Sequence, residues 1–246
     1  MEEKATGAAS SEQPANRSAI VKALVSAFDK AISIPDPAID AYVRRLRAWS
    51  RKQSRSGESI DRGPAWAVKA AEKQYLAAVT SMGAGSGAAA AAPGVGTGVS
   101  LALMGGELAA NLGATALYIL AIAKIHGLDV SDIERRRTLL YVALLGQAAP
   151  EVVEKAVGRT GPYWARVIIK NLDREAIAAV NRVLGPRFVT LYGTRQGVIV
   201  LGRVIPFGIG AGVGATANIA IGLAVVGGVR RAFPPAPEAW PDIQPG

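Results

Sequence analysis

The chain has 246 residues, enough for one large domain or two small ones, and 50% of them are hydrophobic, a fraction inflated by alanine and glycine. It holds 28 Lys and Arg against 19 Asp and Glu, a formal charge of +9, so anionic partners are favoured, either nucleic acid or an acidic lipid surface. With no cysteine and a single histidine, a disulfide framework, a thiolate nucleophile and a thiolate zinc site are excluded.

Residues 1–16 are small, polar and acidic, with no apolar core of a secretory signal, and are expected to form a disordered tail starting in the cytoplasm. Residues 18–32 place Ile20, Val21, Leu24, Val25, Phe28 and Ile32 on one helical face, and Pro35 ends that helix. Asp36 followed by Pro37 reads as an N-cap and a first helical residue. The helix that follows carries Ile39, Tyr42, Val43, Leu46 and Trp49 on one side. The other side holds Arg44, Arg45 and Arg47, and the basic run continues through Arg51, Lys52 and Arg55 with no acid among them. Such a helix either lies on an anionic membrane or packs in a bundle with a solvated basic face.

Residues 54–64 read as a loop, with a helix resuming over 66–79. From residue 74 to 123 the only charge is Glu107, and residues 83–98 are rich in Gly and Ala. No Gly-Lys-Ser/Thr follows them, which excludes a phosphate loop and leaves tight helix packing or a hairpin dipping into lipid. Residues 108–125 are apolar nearly all round, so that helix is buried in protein or in lipid. His126-Gly127 supplies a C-terminal stop, and Ser131-Asp-Ile-Glu134 predicts a capping box for the next helix, giving an αα-hairpin. Between residues 150 and 184 short helices are expected, closed by Gly185-Pro186, with Tyr163 and Trp164 at an interface. Thr194 is expected to cap the next helix.

Residues 204–229 carry no charge, with Arg203 on one side and Arg230-Arg231 on the other. That length suits a bilayer span of about 20 apolar residues, but Gly208, Gly210, Gly212 and Gly214 form overlapping G-x-x-x-G pairs that favour close helix approach. Residues 234–246 are proline-rich and are expected to pack no core. The expected architecture is therefore all-α: a helical bundle over 17–233 whose Gly/Ala-rich hairpins either form its core or insert into membrane.

The catalytic inventory is thin. His126 sits at a helix C-cap, where its cationic form meets the negative end of the helix dipole. No nucleophile elbow, metal-ligand cluster or nucleic-acid motif appears, so no catalytic residue, metal or cofactor is assigned and nucleic acid is disfavoured. Glu107 and Asn218 are each expensive to bury alone. Either the two uncharged blocks pack together and these residues meet, or Glu107 caps the helix beginning at Leu108.

The run from Ala114 through His126-Gly-Leu-Asp-Val-Ser-Asp-Ile-Glu-Arg-Arg-Arg137 to Gly146 resembles the central signature of the EcsC protein family. The run from Arg203-Val-Ile-Pro-Phe-Gly through Asn218 to Arg230-Arg-Ala-Phe233 is similar to its closing motif, an Ile-Pro, a glycine-rich turn, an Asn and a basic-aromatic end. His126 stands where the family more often has Tyr, and Glu107 where an Asp-Leu is common. The resemblance implies an all-helical bacterial protein on the cytoplasmic face of the cell membrane or in the cytoplasm, accessory to a membrane system such as a transporter. With the residue reading, it makes Arg44, Arg45, Arg47, Trp49, Arg203, Arg230 and Arg231 candidate contacts to an acidic lipid membrane. The alternative is a soluble hydrolase-like enzyme with a carboxylate-based site.

Overall fold

The computed structural model describes residues 18–19, 21–53, 59–90, 97–145, 154, 163–203 and 209–241. In residues 52–53, 59–60, 84–90, 97–104, 192–203, 209–215 and 217 only the backbone is described. The fold is an all-α bundle. Its helices are α1 (21–32), α2 (Asp36–Ser50), α3 (Gly63–Ala90), α4 (Thr97–Ile125), α5 (Ile133–Leu145), α6 (Trp164–Lys170), α7 (Arg174–Arg203) and α8 (Ile209–Ala232). Between α2 and α3 two short strands pair antiparallel, β1 (Arg51–Gln53) and β2 (Ser59–Asp61), with Arg51 opposite Asp61, and β2 falls within the stretch expected to be a loop.

α3 runs antiparallel to both α4 and α8. Tyr75 of α3 bonds Thr115 of α4 at 3.1 Å and stacks on Tyr118. The α3–α8 pair is the most extensive contact: Val79 faces Asn218, Leu76 and Val79 close on Gly222, and Glu72 pairs with Arg230. The far ends of α3 and α4 and the start of α8 therefore lie together at one end of the bundle, here the tip. Ile125, Gly63 and Phe233 mark the other end, the base.

Close approach decides one further position. A Cβ on Gly228 would stand 2.7 Å from the Ala143 carbonyl oxygen, so only glycine lets α8 cross α5 there. Phe28, Tyr141 and Phe188 bring α1, α5 and α7 together as an aromatic cluster, with Phe28 and Tyr141 stacked at 4.4 Å.

Several expectations are corrected by the packing. Asp36 is the first residue of α2 rather than its cap, and its carboxylate pairs with Arg136 at 2.8 Å. The capping box does not form. Asp132 caps α5 by accepting from the Arg135 N–H, Ser131 turns back to Asp129, and Glu134 accepts from Asn181. Gly185-Pro186 does not close a helix. A proline inside a helix costs about 3 kcal/mol, but Ile177, Val180, Asn181, Leu184 and Phe188 keep one face of α7 buried straight through it. Thr194 consequently lies within α7 and not at the start of a helix. Trp164 is buried, and only Tyr163 is exposed, in a left-handed conformation with φ 67°.

The proline-rich tail is docked, not frayed, as far as residue 241. The Pro234 carbonyl oxygen lies 3.1 Å from His126 Nε2, Pro241 lies over Gly127 (φ +68°), and Trp240 packs against the core beneath the Arg47 guanidinium. His126 Nδ1 meets the Ile122 carbonyl oxygen at 2.8 Å, so the ring both closes α4 and holds the tail.

At the base the chain is joined through Arg136, which is 3% exposed. Its guanidinium donates to the carbonyl oxygens of Val130, Ile32 and Ile34 and pairs with Asp36. Removing one partner from a buried, hydrogen-bonded charge costs about 3–5 kcal/mol. Arg136→Met is expected to lose that much in chemical denaturation, and Arg136→Lys to recover less than half, because an ammonium cannot reproduce the fork of donors. A loss below about 1 kcal/mol would contradict the assignment.

Asp61 fastens the hairpin. Its carboxylate is held below the usual range by the Gly63 N–H, and next by the Ser50 hydroxyl, each donating at 2.8 Å. A lowered carboxyl stabilises the fold above its unfolded value and loses that contribution as pH falls through the folded one. The stability gap between the protein and Asp61→Asn should therefore shrink between about pH 5 and about pH 2. A gap that stays constant over that interval would show that the carboxylate contributes nothing.

Candidate functional site

Glu107 and Asn218, the two polar residues singled out in the uncharged blocks, are brought together by the structure. Asn218 of α8 donates through Nδ2 to Glu107 Oε1 of α4 at 3.2 Å and to the Val79 carbonyl oxygen of α3 at 3.1 Å. Asn218 is 5% exposed. Glu107 lies well inside α4, which begins at Thr97, so the helix-start capping reading falls. A buried amide left unbonded costs about 1–3 kcal/mol, which makes this three-helix contact a register mark for the bundle.

Beyond that layer, toward the tip, α3, α4 and α8 carry no ionisable residue. The fourth helix running that way, α7, carries Arg195 and Arg203. Among the described residues one stretch, Gly105–Ile125, is long and apolar enough to cross a membrane by length and composition. The protein itself buries 67% of it.

The cations expected to hold headgroups gather at the base, with Arg203 alone lying apart from them. Arg44, Arg45, Arg47 and Trp49 lie on α2 at the base, and Arg230 and Arg231 end α8 at the same end. Most of them are engaged. Arg230 donates to both carboxylate oxygens of Glu72, the Arg45 guanidinium lies 4.4 Å from the Trp49 ring centre, and Arg47 sits over Trp240. Arg44 and Arg231 point to solvent. Arg203, which closes α7, is the one candidate on the chain's path toward the tip.

Of the glycines singled out, Gly208 lies outside the described residues. Gly210, Gly212 and Gly214 fall in the first turns of α8, where only the backbone is described. The glycines at described close contacts are Gly222 and Gly228. They lacked the G-x-x-x-G spacing that drew attention to the others.

The carboxylates are tied into structure. A cavity of about 260 Å³ is lined by Asp132, Glu134, Arg135, Arg174 and Ile177. Asp132 caps α5, Glu134 receives Asn181, and Arg135 donates to the Ile168 and Leu172 carbonyl oxygens at the end of α6. Lys124 joins Asp40 at 2.8 Å and Asp36 at 3.7 Å. Among the described residues there is no cluster of three or more His, Asp or Glu that could hold a metal ion. Burial raises the hydroxyls of Tyr118, Tyr141 and Tyr42 above their usual range, which keeps them neutral.

No family model, curated protein or solved structure matches the chain.

The Glu107–Asn218 contact has a direct energetic test. In a cycle of Glu107→Ala, Asn218→Ala and the double variant, the coupling should be about 1 kcal/mol. Losses that simply add would remove the contact as an energetic link between α4 and α8.

Proposed function

We propose that this protein is a membrane-associated accessory protein of the EcsC type, whose uncharged tip engages an acidic lipid surface, with no catalytic step of its own. The observation that carries the reading is the convergence of the two uncharged blocks at one end of the bundle. There α3, α4 and α8 supply no ionisable side chain, while α7 brings Arg195 and Arg203. The ends of α3, α4 and α8 would lose little hydration against lipid, while the two arginines of α7 would have to meet phosphates to offset theirs. Arginines beside it reach phosphates through long apolar stems. The sequence resemblance to the EcsC family and the charge of +9 point the same way. A scaffolding or regulatory role toward a membrane protein such as a transporter fits a bundle with this polarity. The hydrolase-like alternative is less well supported, because the carboxylates lining the polar cavity are held by caps and amides.

Sedimentation with vesicles tests the reading. The protein should pellet with vesicles containing phosphatidylglycerol and stay bound through a salt wash. Arg203→Glu should weaken binding about tenfold, since each cation near such a surface contributes about 1 kcal/mol. Arg44→Glu, at the opposite end, should leave binding unchanged. Protein that stays in the supernatant with anionic and zwitterionic vesicles alike would sink the membrane reading.

A further inference from the structure

We infer that the base carries a binding face for single-stranded nucleic acid along the seam between α2 and α3. The two helices run antiparallel there: the Tyr42 hydroxyl donates to Gln74 Oε1 at 3.2 Å, and Arg62 donates to the Trp49 carbonyl oxygen at 3.1 Å. Arg62, just before α3, and Trp66, Lys69 and Lys73 within it follow the four-three-four spacing of one helical row. On α2, Tyr42, Arg45 and Trp49 follow the same kind of spacing, so Arg45 and Trp49 line the edge that Tyr42 turns toward α3. Arg45, Trp49, Arg62, Lys69 and Lys73 are exposed. The two sides of the seam carry the same motif: the Arg45 guanidinium lies 4.4 Å from the Trp49 ring centre, and that of Arg62 lies 4.1 Å from the Trp66 ring centre.

Among the described residues no carboxylate pairs with Arg45, Arg62, Lys69 or Lys73. The nearest acids are engaged elsewhere. Asp61 receives the Gly63 N–H and the Ser50 hydroxyl, and both oxygens of Glu72 receive Arg230. A guanidinium stacked on an indole keeps its N–H edge for a phosphate. Trp49, 43% exposed, keeps ring surface on which a base can stack. The occupant follows from this combination. A lipid surface would need apolar side chains to bury, yet among the described residues Trp49 is the only large exposed hydrophobic side chain of α2 and α3. The exposed positions around the cations are the small Ala41, Ala48 and Ala65. An acidic peptide would meet the cations and leave the rings unused, whereas phosphates with unpaired bases use both. From Arg62 to Lys73 the row is about 17 Å long at about 1.5 Å per residue, a short site within the range of about 4–16 nucleotides. This face lies at the end opposite the proposed lipid contact and does not depend on it.

Fluorescence anisotropy on the full chain tests this face, with labelled single strands of thymidine and of uridine about 12 nucleotides long. Both should bind, with affinity falling as salt rises, and a duplex of the same length should bind about tenfold more weakly because its bases are closed. Lys69→Ala combined with Lys73→Ala should flatten the plot of log affinity against log salt by about 1.4 in slope. Trp49→Ala should weaken binding between about fivefold and about 100-fold, and Trp49→Phe should restore most of it, since a phenyl ring also stacks. Arg187→Ala, at an exposed cation of α7, should change nothing. Duplex binding as tight as single-strand binding, or an Arg187→Ala loss as large as that of Lys73→Ala, would show attraction by net charge alone and overturn the assignment. So would undiminished binding by Trp49→Ala. Displacement of the strand by polyglutamate at matched charge would make the face an acidic-peptide site, and displacement by phosphatidylglycerol vesicles would make it a lipid contact. Either result, or no binding at low salt, overturns the nucleic-acid reading.

Discussion

Arg136 is the group on which the base of the bundle depends. A guanidinium taken out of water is tolerable only when its donors meet acceptors, and the acceptors here are backbone carbonyls with few partners of their own. Ile32 closes α1, Ile34 sits in the turn before α2, and Val130 lies in the connection from α4 to α5. Each has reached a helix end or a bend where the regular ladder of backbone bonds stops. One buried side chain therefore satisfies three chain segments, and Asp36 balances its charge from the first turn of α2. Lys124 extends the arrangement by joining Asp36 and Asp40 to the last turn of α4. The crossing of α2 over the base follows from this set of bonds as much as from Ile39, Val43 and Leu46, which it buries.

The two ends of the molecule are consequently held by different physics. At the base, directional bonds and ion pairs specify where each segment lies. Between the base and the Asn218 layer, α8 meets α3 closely, and a Cβ on Gly222 would stand 3.0 Å from the side chains of Leu76 and Val79. The Glu107–Asn218–Val79 contact is the last polar specification before the uncharged region. Without such a mark, a small-residue interface could slide by a turn, because alanine and glycine surfaces offer similar contacts in several registers.

Much of the base was legible in the sequence, because its signals are local. Pro35, Gly127 and the apolar periodicity of residues 21–32 each act within one or two turns, and each lies where a helix begins, ends or buries a face. The pairing of Glu107 with Asn218 was one of two readings open in the sequence, and only the start of α4 at Thr97 and the bond itself decide between it and a helix-start cap. Errors arose where a distant contact outweighed a local preference. Ser131 and Glu134 have the spacing of a capping box, yet Asp129 and Asn181 compete for them and Asp132 takes the cap. Gly185-Pro186 is a strong local break, yet the aromatic cluster around Phe188 holds α7 straight. Arg136 gave no signal, because one of three consecutive arginines looks like solvated charge until three carbonyls surround it. The docked tail was missed for the same reason: His126, Gly127 and Arg47 are scattered in sequence and meet only in space.

Net charge alone does not say which end of the molecule an anionic partner would meet. A charge of +9 attracts the whole molecule to an anionic surface over distances set by screening, whereas close contact depends on what each end loses when water leaves. Dehydrating the base would expose Glu72–Arg230 and the Lys124 pairs to a medium that penalises separated charges, and would lift Trp240 from Arg47. Dehydrating the tip would remove water from three helix ends that carry no charge and from a fourth that carries Arg195 and Arg203. The two ends of the bundle therefore differ in what they would lose on contact with any apolar surface, and net charge does not report that difference.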